Sequence, residues 1–91
     1  MARIMTPNEV KQVPRAGIVW VEFFDGELGK STALMCAMMC KDGSLVDEDG
    51  SFYKNYEQDV LPDDVEGDCW RFWNDKPSKE ERDGSPWSFQ H

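Results

Sequence analysis

The sequence predicts an α+β fold: a small, strongly bent antiparallel sheet or SH3-like β-barrel with a short helix at each end. Three observations carry that expectation. The turn dipeptides Asp25-Gly26, Asp42-Gly43 and Asp49-Gly50 recur at the spacing of a hairpin meander. The runs between them are short and rich in β-branched and aromatic residues. A capping-box pattern stands near each end, Thr6-Pro7-Asn8-Glu9 and Ser78-Lys79-Glu80-Glu81. With 91 residues, 40% hydrophobic and 12% aromatic, the chain reads as one globular domain over 1–91 rather than a disordered segment. Domains of this size bury only about 60–65% of the surface their unfolded chains expose, so the four Trp and five Phe must carry much of the core.

In the first helix Thr6 is the N-cap and Pro7 the first helical residue, Val10 and Val13 share a face, and Pro14 stops the run. Ile18-Val19-Trp20-Val21-Glu22-Phe23-Phe24 is the clearest strand, bounded by Gly17 and Asp25-Gly26. The chain then returns over residues 30–41 as a second, antiparallel strand. Residues 32–41 are also rich in Ala, Leu and Met, so a helix capped by Ser31 and ended by Gly43 is the alternative; the regular turn spacing favours the strand. Short strands follow at 44–46, 51–56 and 69–73, with an acidic loop at 61–67. A second helix runs from Lys79 until Gly84 breaks it, ahead of Pro86-Trp87.

Eighteen acids against ten bases give a net charge of −8, and residues 42–68 hold ten of the acids with one base, Lys54. A field of that sign repels nucleic acid and attracts basic surfaces, so direct DNA or RNA binding is not expected. No window approaches the roughly 18 apolar residues of a membrane span, and the first residues lack the apolar run of a secretory signal, so neither a membrane partner nor export is expected.

Cys36, Cys40 and Cys69 are an odd set without an export signal, which predicts reduced thiols. On a strand, Cys36 and Cys40 share a face with Leu34 and Met38, and core packing is expected of them. The single histidine, His91, leaves neither a fourth zinc ligand nor a general base, so the sequence predicts no metal, no cofactor and no enzyme. Gly29-Lys30-Ser31-Thr32 has the ending of a phosphate loop, but Phe24 occupies the position of the required upstream glycine. Asp47-Glu48-Asp49-Gly50-Ser51 opens like a calcium loop, yet Phe52 and Gln58 fall where that loop needs glycine and glutamate. In Trp70-Arg71-Phe72-Trp73, alternation puts Trp70 and Phe72 on one face and Arg71 and Trp73 on the other, the second pair to be covered by the chain's tail or left as an interface.

The segments Pro14-Arg15-Ala16-Gly17-Ile18-Val19-Trp20-Val21-Glu22 and Trp70-Arg71-Phe72-Trp73-Asn74-Asp75-Lys76-Pro77-Ser78-Lys79-Glu80-Glu81-Arg82-Asp83-Gly84-Ser85-Pro86-Trp87 resemble a loose group of small uncharacterised proteins encoded in prophages of Gram-positive bacteria. The likeness spans residues 6–88, is specific only in the tail, and implies a genomic context without any catalytic or binding residue. With the charge distribution, it leads to the expectation of a phage accessory protein in the bacterial cytoplasm. Such a protein would bind and inhibit a nucleic-acid-handling defence protein, of anti-CRISPR or other anti-defence type, by filling its basic groove with carboxylates. Asp47, Glu48, Asp49, Asp63, Asp64 and Glu66 are the candidate contacts, with Tyr53 and Tyr56 as anchors. The alternatives are a homo-oligomeric sponge that holds a nucleotide signal through Arg15, Lys30 or Arg71 with Trp73, and a structural or adaptor barrel.

Overall fold

Helix α1 (Pro7–Lys11) starts where its capping box places it: the Thr6 hydroxyl accepts the Glu9 N–H (3.2 Å) and the Glu9 carboxylate accepts the Thr6 N–H (2.9 Å). The chain turns at residues 13–17 into β1 (Ile18–Asp25), folds back as β2 (Lys30–Met39), and continues through β3 (Leu45–Asp47), β4 (Phe52–Tyr53) and β5 (Cys69–Trp73) to α2 (Lys79–Asp83). The computed structural model describes residues 1–53 and 69–85, so the expected strand at 51–56 is described as far as Tyr53, and the acidic loop at 61–67 and Pro86-Trp87 lie outside the described residues. All strand pairs are antiparallel, in the order β4-β3-β2-β1-β5, and the sheet curls into a half-barrel. Residues 30–39 are strand because β1 pairs along their whole length and β3 along their end, which overrides their helical propensity.

The hairpins are built by aspartates. Asp25 Oδ1 accepts the N–H groups of Glu27 (2.9 Å) and Leu28 (3.1 Å), and Gly29 closes the turn at a φ of 70°. At the far side of the sheet, residues ahead of α1 guard the edge of β5. Ile4 bridges to Trp73, Met5 N–H donates to the Phe72 carbonyl (2.8 Å), and Asn74 N–H donates to the Arg3 carbonyl (3.0 Å). The capping box of α2, Ser78 with Glu81, joins the same end, since Glu81 also accepts the Ala2 N–H (3.1 Å).

The main core lies on one sheet face: Val19 and Val21 of β1, Ala37 and Met39 of β2, Leu45 and Phe72, with Val10 of α1 set against them. Tyr53 and Trp70 pack on its margin. The register pairs Val19 with Ala37, so Ala33, Met35, Ala37 and Met39 face inward and Leu34, Cys36 and Met38 face the other way. The core role expected for Cys36 is therefore corrected. It is half-buried on the opposite face, while Cys40, also half-buried, follows the end of β2. Both faces of residues 33–40 are apolar, and period-two alternation has no contrast to reveal which one is covered. Among the described residues no helix is long and apolar enough to cross a membrane.

Ala16 holds a left-handed φ of 67°, where a Cβ costs about 1–2 kcal/mol. Ala16→Gly is expected to raise the unfolding free energy by roughly 0.5–1 kcal/mol, the strain relief less the added chain entropy of glycine. A lower urea midpoint at unchanged slope would contradict that account of the turn.

Candidate functional site

Two polar assemblies stand out, one sealed and one displayed. The sealed one forms on the outer sheet face, opposite the main core, where β1 and β5 pair Glu22 with Arg71. Glu22 is fully buried, and its Oε1 accepts Arg71 Nε (2.6 Å) and Trp73 Nε1 (2.8 Å) while its Oε2 accepts Arg82 Nε (3.3 Å). Arg82 also donates to Ser31 Oγ (2.7 Å), and Arg71 donates to the carbonyls of Ser85 (2.7 Å) and Arg82 (3.1 Å). These bonds press α2 onto the sheet and cover Arg71 and Trp73, the face on which alternation placed them. Burial pushes the Glu22 carboxyl up, but hydrogen bonds from Arg71, Trp73 and Ser31, with the Arg71 charge, outweigh it and hold the group below its ordinary value.

The displayed assembly is the β3–β4 hairpin. Asp47 is buried and spends both carboxylate oxygens inside the turn: Oδ1 accepts Asp49 N–H (2.9 Å) and Ser51 N–H (3.1 Å), and Oδ2 accepts the Tyr53 hydroxyl (2.7 Å). Gly50 completes the tip with a φ of 81°. Glu48 and Asp49 are thereby held out to solvent, and Glu48 Oε1 also accepts the Cys36 N–H (3.3 Å) beyond the end of β3. Asp47 thus differs from the free surface carboxylate that its acidic neighbours suggest. Tyr53 likewise turns inward, edge-on to Trp70 and Phe72 at 6.2 Å each, and its hydroxyl is pushed well above its ordinary value by burial and by Asp47. Asp63, Asp64, Glu66 and Tyr56 lie outside the described residues.

The cationic set does not assemble within one chain. Arg15 is exposed in the turn before β1, and Lys30 is exposed where β2 begins; neighbouring Ala16 bonds to Met39 at the other end of that strand, about 30 Å away at strand rise. Arg71 and Trp73 lie between, under α2. Gly29-Lys30 belongs to the β1–β2 hairpin, and Ser31 faces Arg82. The missed feature is Glu22, the single acid within the apolar run 18–24, which is the signal that a buried cation must face it. Comparison with protein-family models, with curated proteins and with solved structures finds no match.

Removing one partner of a buried ion pair strands the other charge, so Glu22→Gln is expected to cost about 3–5 kcal/mol at neutral pH. Glu22→Gln with Arg71→Met should recover much of that loss. Because the folded-state carboxyl is lowered, its contribution is complete above the unfolded value near pH 4.3 and is lost as pH falls through the folded value. Acid titration of stability should be shallower in Glu22→Gln than in the parent; equal slopes would refute the assignment.

Proposed function

We propose that the chain is an acidic protein-binding module of phage origin that inhibits a bacterial nucleic-acid-handling defence protein by occupying its basic groove. The observation that carries this reading is the Asp47-organised hairpin, which presents Glu48 and Asp49 on a fixed turn at the start of the most acidic part of the sequence. Carboxylates on a rigid scaffold stand in for phosphates at little ordering cost, and a net charge of −8 steers them to a basic partner. The prophage resemblance supports the same context. Fixed carboxylates and a buried, charge-paired Arg71 suit binding of a macromolecule better than turnover of a substrate.

Neutralising Glu48, Asp49, Asp63, Asp64 and Glu66 while keeping Asp47 is expected to abolish protection of a phage from host defences; neutralising the exposed Glu48 and Asp49 alone should leave thermal melting nearly unchanged, since exposed acids usually lie within about 0.5 kcal/mol of neutral. Undiminished protection would refute the proposal. Asp47→Ala is a separate matter: with backbone donors left unpaired it should lose about 1–3 kcal/mol of stability.

A further inference from the structure

Among the described residues, helix α2 lies over Glu22, Arg71 and Trp73 at one end of the outer sheet face, and no described element covers the other end. There the register lines up Ile18 with Met38, Met38 with Val46, and Val46 with Phe52, so one apolar row crosses β1, β2, β3 and β4. Cross-strand neighbours share a face, and at about 4.8 Å per strand the row is roughly 15 Å long. Ile18 is 48% exposed, Met38 43% and Phe52 63%. Isolated apolar residues on a surface are ordinary; a continuous row of them marks a contact surface. Beside it runs a shallow groove of about 270 Å³, lined by Ile18, Cys36, Met38, Val46 and Glu48.

The rim settles which occupant fits. Glu48, bonded to the Cys36 N–H, borders the groove, and Asp49 follows it in the exposed tip of the same hairpin. A second copy would bring another chain of net charge −8 and a second pair of these acids against the first. Resting on the proposed function, we propose that this face receives an extended segment of the partner polypeptide in which basic residues alternate with large aliphatic ones. The aliphatic side chains lie on the Ile18–Met38–Val46–Phe52 row, and the basic ones reach Glu48 and Asp49. The row provides the desolvated centre of the contact and the carboxylates its polar margin, with the adaptable Met38 side chain fitting the entering group.

The probes are three end-blocked octapeptides, alternating Lys–Leu, Lys–Ser and Glu–Leu, each fluorescently labelled and titrated with the whole chain at low and moderate salt. Lys–Leu is expected to bind at least tenfold more tightly than either of the others, to weaken as salt rises, and to slow alkylation of Cys36 more than that of Cys40. Ile18→Ser with Met38→Ser should reduce Lys–Leu to the Lys–Ser affinity, and the unchanged melting of that variant is the control for folding. Equal affinity for Lys–Ser and Lys–Leu would overturn this inference and leave the acidic reading standing. Equal affinity for Glu–Leu and Lys–Leu would overturn both. A stable dimer in sedimentation that Met38→Ser dissociates would also overturn it, by giving the face to a second copy.

Discussion

A carboxylate with no exposure to solvent holds the outer half of this protein together. Glu22 sits in the middle of β1, and the groups that satisfy it come from β5 and α2, so the strand pairing and the helix docking are conditions on one another. Two guanidinium groups face one carboxylate, and the excess positive charge is met by backbone: Arg71 reaches the carbonyls of Arg82 and Ser85, where α2 runs out of internal donors. A buried ion pair is a weak source of net stability because both charges lose water. Its strength lies in selection, since another placement of α2 takes Arg82 from Glu22 Oε2 and the Arg82 and Ser85 carbonyls from Arg71. In a domain with so small a core, that selectivity orients a five-residue helix which propensity could not hold alone.

The two faces of the sheet are finished differently. The inner face is aliphatic and aromatic apart from Asp47 on its β3 margin, and Val10 of α1 closes it. The outer face passes from an ionic, helix-covered end to an apolar, solvent-facing end along the same strands, with Trp20 between them beneath the Lys76 ammonium at 5.6 Å. This division commits α2 to architecture and leaves Ile18, Met38 and Phe52 at the other end exposed. The acidic hairpin and the apolar row belong to one surface because Glu48 reaches back to β2, covering a strand donor that would otherwise face solvent.

Local chemistry made most of the fold legible. Both helices follow from capping boxes whose atoms bond as the residue spacing requires, and the turns that the Asp-Gly dipeptides mark are built by the side-chain acceptors Asp25, Asp42 and Asp47 with the left-handed glycines Gly29, Gly43 and Gly50. Alternation in residues 70–73 was readable because a charged residue stands among aromatics. It was unreadable in residues 33–40, where apolar side chains occupy both faces and only the pairing of Ala37 with Val19 decides which is inside. The candidate site was legible as charge but not as geometry. Asp47 and Asp49 are chemically identical in sequence, and what separates a turn organiser from a displayed acid is which backbone N–H groups lie within reach.

The closing of the fold joins residues far apart in the chain. Ala2 donates to Glu81 across 79 positions, and the residues ahead of α1 form the outer rail of β5. During synthesis, the segment before α1 must therefore wait until residue 81 has appeared before its Ala2 backbone donor finds its acceptor. A nascent chain can form the β1–β2 hairpin early, but it leaves the ribosome with Glu22 still seeking cations encoded some fifty residues later. A ribosome-bound fragment ending before residue 71 thus carries Glu22 without Arg71 and Arg82, the cations that permit its burial.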